Sequence, residues 1–205
     1  MLGRTDYHNV SGTRCSTDFV ELPSILMEKF LVSPSMLSLF PSSPDFTIPT
    51  HAQLLRHLRD ANAFPAIEAH TQILMAMLDQ VYHSDLPSDP AFSSTTELYK
   101  LQDSIGLFPS VPGTAWQTQF THLYGYGATY YTYLFCRAIA SKVWNTLFDA
   151  DPLNRETGEK FKREVLQYGG GKDPWEMLAA LLEMPELAAG DKTAMELVGR
   201  WGVEE

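Results

Sequence analysis

Proline and glycine divide this 205-residue chain into segments in which apolar residues recur every three to four positions. That spacing places apolar side chains on one face of a helix. In residues 18–32 the positions on this face are Phe19, Leu22, Ile25, Leu26 and Phe30. No segment of useful length alternates apolar and polar residues as a half-buried strand does. The pattern therefore predicts an all-α fold whose helices surround one core.

The predicted helices alternate with loops that are rich in proline, glycine and serine. Helices are expected at residues 18–32, 50–60 with Thr50 as the N-cap, 65–83, 94–105, 128–148, 155–168, 173–183 and 191–200. Loops are expected at residues 33–50, 84–93 and 106–113 and at the turn Gly169–Gly171. In segment 65–83 the side chains expected to point inward are Ile67, Leu74, Met75, Leu78 and Tyr82.

The chain is acidic, with 15 Lys and Arg against 25 Asp and Glu and a formal net charge of −10. This balance argues against nucleic acid or an anionic membrane as the main partner. Residues 172–205 hold three basic and eight acidic side chains, a net −5, and we expect them to form a solvated surface. No apolar run reaches the roughly 18 residues of a membrane-spanning helix, and the N-terminus lacks the features of a targeting signal.

Two cysteines are too few for a disulfide framework or a cysteine metal cluster. Cys136 lies inside a predicted helix and is expected to be a small core residue. Cys15 follows Arg14, whose charge is expected to lower the pKa of the thiol. Nothing else in the sequence indicates that Cys15 is a nucleophile.

Asp18 and Glu21 form the first candidate site. They lie three residues apart at the start of an apolar helix and so share one helix face. A carboxylate in this place can bind a metal while the second carboxylate orients a neighbouring ligand. The same spacing before an apolar run is also typical of a capping box. Spacing alone favours the cap.

A tyrosine-rich segment after His122 forms the second candidate site, with five of the nine tyrosines between Tyr124 and Tyr133. Tyr126, Tyr130 and Tyr133 follow i, i+4, i+7 spacing and share one face if the first helical turn forms. Phenols are neutral hydrogen-bond donors at physiological pH. Three of them on one face can bind a peptide backbone or a developing oxyanion.

Gly125 and Gly127 interrupt this tyrosine-rich segment and predict a flexible loop or one with positive φ. The alternative interpretation of the segment is a packing face whose hydroxyl groups reach the surface, which suits Tyr124 and Tyr131. That alternative explains the adjacent histidine and glycines less well. The residues leave the two interpretations evenly balanced.

Long motifs at these two sites resemble those of the thimet-oligopeptidase-like zinc metallopeptidases. The segments that carry the resemblance are Gly3–Thr5, Ser11–Arg14, Thr17–Ser24 and His122–Tyr131. A narrower similarity, to the members of this family that process precursor proteins in mitochondria, rests on Asp79–His83, Pro112–Gln117, Arg137–Ser141 and Gly169–Gly171. The resemblance runs along nearly the whole chain.

The resemblance implies the C-terminal part of a two-lobed, almost entirely helical zincin-type metallopeptidase with a channel between the lobes. It implies that Glu21 is the third zinc ligand and that Asp18 holds a ligand histidine. The complete enzyme would bind one zinc ion and act as a monomer in the mitochondrial matrix. Its substrates would be peptides or precursor proteins, from which it removes short N-terminal peptides.

The resemblance also implies roles for the tyrosine-rich segment. His122 and Tyr126 would line the substrate channel, and the loop with Gly125 and Gly127 would close on the substrate backbone. Tyr133, with Tyr130 as the second choice, would donate a hydrogen bond to the oxygen of the scissile carbonyl.

One departure from the family pattern concerns the metal. The family's HExxH motif supplies two zinc ligands and the general-base glutamate, and it does not occur in these 205 residues; the six histidines include no i, i+4 pair. We therefore expect residues 1–205 to be a C-terminal portion of the catalytic domain, without the HExxH helix and the N-terminal lobe. Such a fragment is expected to bind zinc poorly and to be inactive alone. The alternative is a non-catalytic helical binding module derived from the same fold.

Overall fold

The computed structural model describes residues 2–39 and 64–202, together with Gln53, Arg56, His57 and Asp60. Its α-helices are α1 (Thr17–Val20), α2 (Leu22–Val32), α3 (Pro34–Leu37), α4 (Pro65–Tyr82), α5 (Ser94–Ile105), α6 (His122–Gly125), α7 (Thr132–Val143), α8 (Arg155–Phe161), α9 (Pro174–Leu182) and α10 (Lys192–Gly199). Within these described residues there is no β-strand. The all-α prediction is confirmed.

Shorter helical turns connect several of these helices. Trp144–Phe148 and Lys162–Leu166 continue α7 and α8 as π-helical turns. Single 3-10 turns are formed by His8–Val10, Leu86–Ser88, Trp116–Gln119 and Pro185–Leu187. The chain divides into two compact units, the first comprising Met1–Ala61 with Phe135–Glu205 and the second comprising Asn62–Leu134.

The first unit contains the larger apolar cluster. Leu22 and Leu26 of α2 are fully buried in it. Leu178 and Leu181 of α9 are also buried there, with at most 1% of their surface exposed. Cys136 is also fully buried there, as the sequence predicts. Burying a Leu side chain stabilises a fold by roughly 1.5–3 kcal/mol, so this cluster holds the first unit together.

The turn Gly169–Gly171 lies between two helices, as predicted, and it holds the N-terminal segment against the first unit. The amide of Gly170 donates a hydrogen bond to the Val10 carbonyl at 2.7 Å, and the amide of Arg4 donates to the Gln167 carbonyl at 2.8 Å. Gly169 has φ +52°, a left-handed conformation that glycine adopts without steric cost.

The second unit has its own small apolar cluster, formed by Leu74, Leu78 and Leu98. Leu74 and Leu78 are buried as predicted, whereas Ile67 is 42% exposed, so the prediction that it points inward is wrong. The described residues thus have two apolar clusters, and the expectation of one core is wrong.

Several predicted boundaries differ from the structure. The helix predicted at 18–32 is interrupted at Glu21, and the loop predicted at 33–50 contains α3. The helix predicted at 50–60 with its cap at Thr50 lies outside the described residues except for four positions, all of them helical. The six acidic side chains between 172 and 202 are exposed, as predicted for a solvated surface. None of the described helices combines the length and apolar character that crossing a bilayer requires.

Candidate functional site

An aromatic cluster in the second unit brings together four of the predicted site residues. The ring of His122 lies 5.1 Å from that of Tyr130 and 6.0 Å from those of Tyr126 and Tyr133, measured between centroids. Tyr130 and Tyr133 lie 5.2 Å apart. Nε2 of His122 and the hydroxyl of Tyr133 are 3.3 Å apart. One imidazole therefore faces three phenols.

The cluster does not arise from a shared helix face. Helix α7 begins at Thr132, so the turn expected to place Tyr126, Tyr130 and Tyr133 on one face does not form. Ala128, with φ +61°, causes this because the left-handed conformation cannot continue into a helix. The predicted start of this helix at residue 128 is wrong, and the tyrosines converge through an irregular loop instead.

Gly125 and Gly127 have different surroundings. Neither has positive φ, contrary to that part of the prediction; the residue that does is Ala128. A β-carbon at Gly125 would meet no atom within 4 Å. A β-carbon at Gly127 would overlap the ring of His83. Glycine is thus required at position 127, where the backbone lies close to the His83 ring. At position 125 a side chain would find open space.

Exposure separates the tyrosines of this segment. Tyr130 is only 8% exposed, with its ring packed edge-on against Phe120 at 4.9 Å. Burial raises the pKa of Tyr130 above its ordinary value, so this phenol stays protonated at neutral pH. Tyr126 is 63% exposed and Tyr124 is 99% exposed. Full exposure of Tyr124 contradicts the alternative in which it forms part of a packing face.

Asp79 is a residue of this site that the sequence analysis did not assign. Its side chain is almost fully buried. Oδ1 accepts a hydrogen bond from the amide of Ala128, and Oδ2 accepts one from the amide of Tyr130, each at 2.9 Å. Nδ1 of His83 lies 3.0 Å from Oδ1. The i, i+4 spacing of Asp79 and His83 is a signal in the sequence, but the partners of Asp79, which lie 49 and 51 residues away, cannot be derived from it.

Asp18 and Glu21 belong to the first unit. Asp18 lies inside α1 and accepts a hydrogen bond from the hydroxyl of Ser16. It is not the N-cap residue, so the capping-box interpretation is wrong. Glu21 ends α1 and is half-buried. The hydroxyl of Ser24 lies 2.8 Å from Oε2 of Glu21 and 2.9 Å from its carbonyl oxygen, so one serine orients this carboxylate.

A cavity of about 180 Å³ adjoins Asp18 within the first unit. It is lined by Ser16, Asp18, Phe19, Phe135, Ile139, Asp173, Pro174 and Trp175. Asp173 is also the N-cap of α9 and accepts the amide of Trp175 at 2.8 Å. Asp18 therefore borders this small space together with apolar side chains of the first unit.

The two thiols of the first unit are both weakly acidic. Burial raises the pKa of Cys136 to about 12, and its Sγ lies 3.2 Å from the Asp18 carbonyl. Burial also raises the pKa of Cys15. The expectation that Arg14 lowers the pKa of Cys15 is wrong, because burial of the thiol outweighs any such effect and the nearby Asp18 also raises the pKa.

The fit of a metal can be judged from the donor set. A carboxylate oxygen is a ligand that zinc accepts, and the Ser24 hydroxyl holds Glu21 as hydrogen bonds commonly hold metal ligands. Across residues 2–39 and 64–202, no three His, Cys, Asp or Glu side chains form a group able to hold a metal ion. Glu21 therefore fits as one ligand, but the described residues do not form a zinc site by themselves.

Known proteins match this chain from end to end. It is 60% identical over 205 residues to mitochondrial intermediate peptidase of Coprinopsis cinerea and 58% identical to that of Schizophyllum commune. It is 51% identical over 224 residues to mitochondrial intermediate peptidase 1 of Cryptococcus neoformans. These matches cover 100% of the chain but only 26%, 26% and 29% of the three relatives. The chain thus spans about a quarter of their length.

A family model gives the same result. The model of Peptidase family M3 matches residues 1–197. This range includes both candidate sites, with Asp18 and Glu21 near its start and the aromatic cluster in its second half. The chain belongs to Peptidase family M3.

Proposed function

We propose that this chain is the part of a zinc metalloendopeptidase that supplies one zinc ligand and the peptide-binding tyrosines. The enzyme removes short N-terminal peptides from precursor proteins imported into mitochondria, and it works as a monomer in the matrix. Membership of Peptidase family M3 and relatives named mitochondrial intermediate peptidase support this proposal. The observation that carries it is the convergence of His122 with Tyr126, Tyr130 and Tyr133.

Zinc, when bound, lowers the pKa of a water molecule and polarises the scissile carbonyl. Within this chain Glu21 is the proposed ligand, held in orientation by Ser24. Asp18 is proposed to hold a ligand histidine by a hydrogen bond, which would fix the orientation of that ring. No histidine within this sequence occurs in an HExxH motif, so Glu21 is the single zinc ligand proposed for this chain.

Tyr133 is the proposed donor to the carbonyl oxygen of the scissile bond. Its hydroxyl lies 3.3 Å from Nε2 of His122, a hydrogen-bonding neighbour that limits rotation of the phenol. A neutral donor aimed at a developing oxyanion stabilises the transition state more than the ground state. Tyr130 is the second candidate, and burial keeps it in the neutral, donating form.

Tyr126, Gly125 and Gly127 are the proposed contacts to the substrate backbone. Tyr126 exposes 63% of its surface, so its hydroxyl is accessible. The space beside Gly125 is open, so an extended peptide can approach the backbone there without meeting a side chain. The alternative of a non-catalytic binding module is not favoured, since peptidases match the whole chain at 51–60% identity.

The experiment is a chimera in which these 205 residues replace the matching segment of the Coprinopsis cinerea relative. We expect the chimera to cleave a precursor peptide in a chelator-sensitive reaction. Tyr133→Phe should lower kcat by about 100- to 1,000-fold, the usual cost of removing one oxyanion donor, with unchanged zinc content. Tyr124→Phe is the matched control, since this phenol is fully exposed, and should leave kcat unchanged. An unchanged kcat for Tyr133→Phe would remove this tyrosine from the mechanism.

A further inference from the structure

We propose that Asp79 is a positioning residue of this peptidase site, acting with His83 to fix the backbone of residues 127–130. The inference rests on the proposed function of the tyrosines. It names the residues that hold their backbone in position. Asp79 itself contacts no substrate in this scheme. It acts through the two amides that it binds.

The Asp79 carboxylate is buried. Only 1% of the residue is exposed, and a buried carboxylate is costly unless hydrogen bonds and charge compensate it. Both oxygens are used, since Oδ1 accepts from the amide of Ala128 and Oδ2 from the amide of Tyr130. The two amides belong to residues two positions apart, so one carboxylate fixes the path of the chain immediately before Tyr130.

Asp79 also holds the one strained residue between positions 127 and 130, Ala128. Ala128 has φ +61°, a left-handed conformation that is unfavourable for a residue with a β-carbon. Its amide is bound by Asp79, and its carbonyl accepts a hydrogen bond from Nε2 of the neighbouring Gln80 at 3.0 Å. Two adjacent residues of α4 therefore hold both polar groups of Ala128 and offset the strain.

His83 follows Asp79 by one helical turn and contacts it through Nδ1. Nδ1 of His83 lies 2.9 Å from the Asp79 carbonyl oxygen and 3.0 Å from Oδ1. Both neighbours are acceptors, so Nδ1 carries the hydrogen, and this fixes the orientation of the ring. The opposite edge of the ring occupies the space where a side chain at Gly127 would lie. His83 thus supports the segment from the side on which Gly127 approaches.

The position of the Tyr130 ring depends on the backbone that Asp79 holds. Tyr130 can place its ring against His122, at 5.1 Å, and Tyr133, at 5.2 Å, only if its backbone is held in position. Displacement by about 1 Å of a positioned catalytic group can lower a rate about 100-fold. Loss of the Asp79 carboxylate should therefore impair the tyrosines without removing any of them.

The test uses Asp79→Asn in the chimera, because asparagine keeps the shape of the side chain but offers one acceptor oxygen instead of two. One of the amides of Ala128 and Tyr130 then loses its partner. We expect faster hydrogen–deuterium exchange in the peptide spanning residues 125–131 and a kcat lowered about 100-fold with a smaller change in KM. Asp85→Asn is the matched control, since Asp85 is exposed in the same unit, and should change neither readout.

A double-mutant cycle distinguishes positioning from general stability. If Asp79 acts through the catalytic phenol, Asp79→Asn should lower kcat much less in a Tyr133→Phe background than alone. Equal effects in both backgrounds would overturn the proposal. So would unchanged exchange, or faster exchange with unchanged kcat, in the single variant.

Two further outcomes are also decisive. If Asp79→Asn does not fold, His83→Gln takes its place, with the same direction expected in exchange and kcat; no change in either would overturn the proposal. If the unmutated chimera is folded but inactive, the proposed function fails. The exchange comparison then still decides whether Asp79 fixes residues 127–130.

Discussion

The imidazole of His83 occupies the space that a β-carbon of Gly127 would need. Rotation of the ring out of this space would break the contacts of its Nδ1 with the carbonyl and carboxylate oxygens of Asp79. A histidine directly after the end of α4 thus sets the residue type at a loop position 44 residues later in the sequence. This relationship explains why the loop contains glycine without requiring a positive φ there.

Gly127→Ala is therefore expected to destabilise the second unit. The added methyl group must displace either the His83 ring or the loop backbone, and overpacking of this kind costs about 1–3 kcal/mol. Gly125→Ala is the matched control, since its β-carbon meets no atom within 4 Å. Urea unfolding of the two variants measures the difference. Equal midpoints would show that the His83 ring moves freely.

Gly170→Ala is expected to loosen the N-terminal segment of the first unit. Its β-carbon would overlap the carbonyl oxygen of Arg14, and the amide of Gly170 is bound to Val10 at 2.7 Å. Because backbone cannot yield as a side chain can, we expect a cost of about 1–3 kcal/mol in the free energy of unfolding.

Gly158→Ala provides the control for this change. Gly158 lies inside α8 with open space around it, so alanine should stabilise the helix by up to about 1 kcal/mol. The two substitutions are therefore expected to shift the urea midpoint in opposite directions. A shift of the same sign in both would contradict the close approach at Gly170.

The two thiols are expected to react slowly and in a fixed order. Burial raises both pKa values, that of Cys136 to about 12, and only the thiolate is nucleophilic. Cys15 is partly exposed and should react with a disulfide reagent first, whereas Cys136 should react only on unfolding. Raising the pH below these pKa values should increase the rate at Cys15 about tenfold per unit, because the thiolate fraction rises by that factor. Rapid labelling of Cys136 in the folded chain would contradict its burial.

The 205-residue chain alone is expected to show no zinc-dependent peptidase activity. Its sequence has no HExxH motif, and its described residues contain no group of three metal-binding side chains. One carboxylate cannot replace the three protein ligands of a catalytic zinc site. A peptide-cleavage assay with and without a chelator measures this. Chelator-sensitive cleavage by the purified chain would contradict the expectation.

The local spacing of apolar residues correctly predicts most of the helices and the buried face that α2 contributes to the larger core. Leu22 and Leu26 were placed inward from three-and-four spacing, and both are fully buried. The same reasoning failed at Ile67 and at the start of α7. At the start of α7 the outcome depends on Asp79, which binds the amide of Ala128 from 49 residues away, and helical spacing does not include such a contact.

The candidate site shows the same division between local and non-local information. The sequence by itself determined the all-α class, the family and the residues His122, Tyr126, Tyr130 and Tyr133 as a group. Only the tertiary structure decided that these rings meet through a loop, and that Asp79 holds this loop from 49 and 51 residues away. Helical periodicity is a property of adjacent turns and can be read from the order of residues. A buried carboxylate binds the donors that lie beside it in the folded structure. Those donors come close to it only after the chain has folded, so the order of residues does not reveal them.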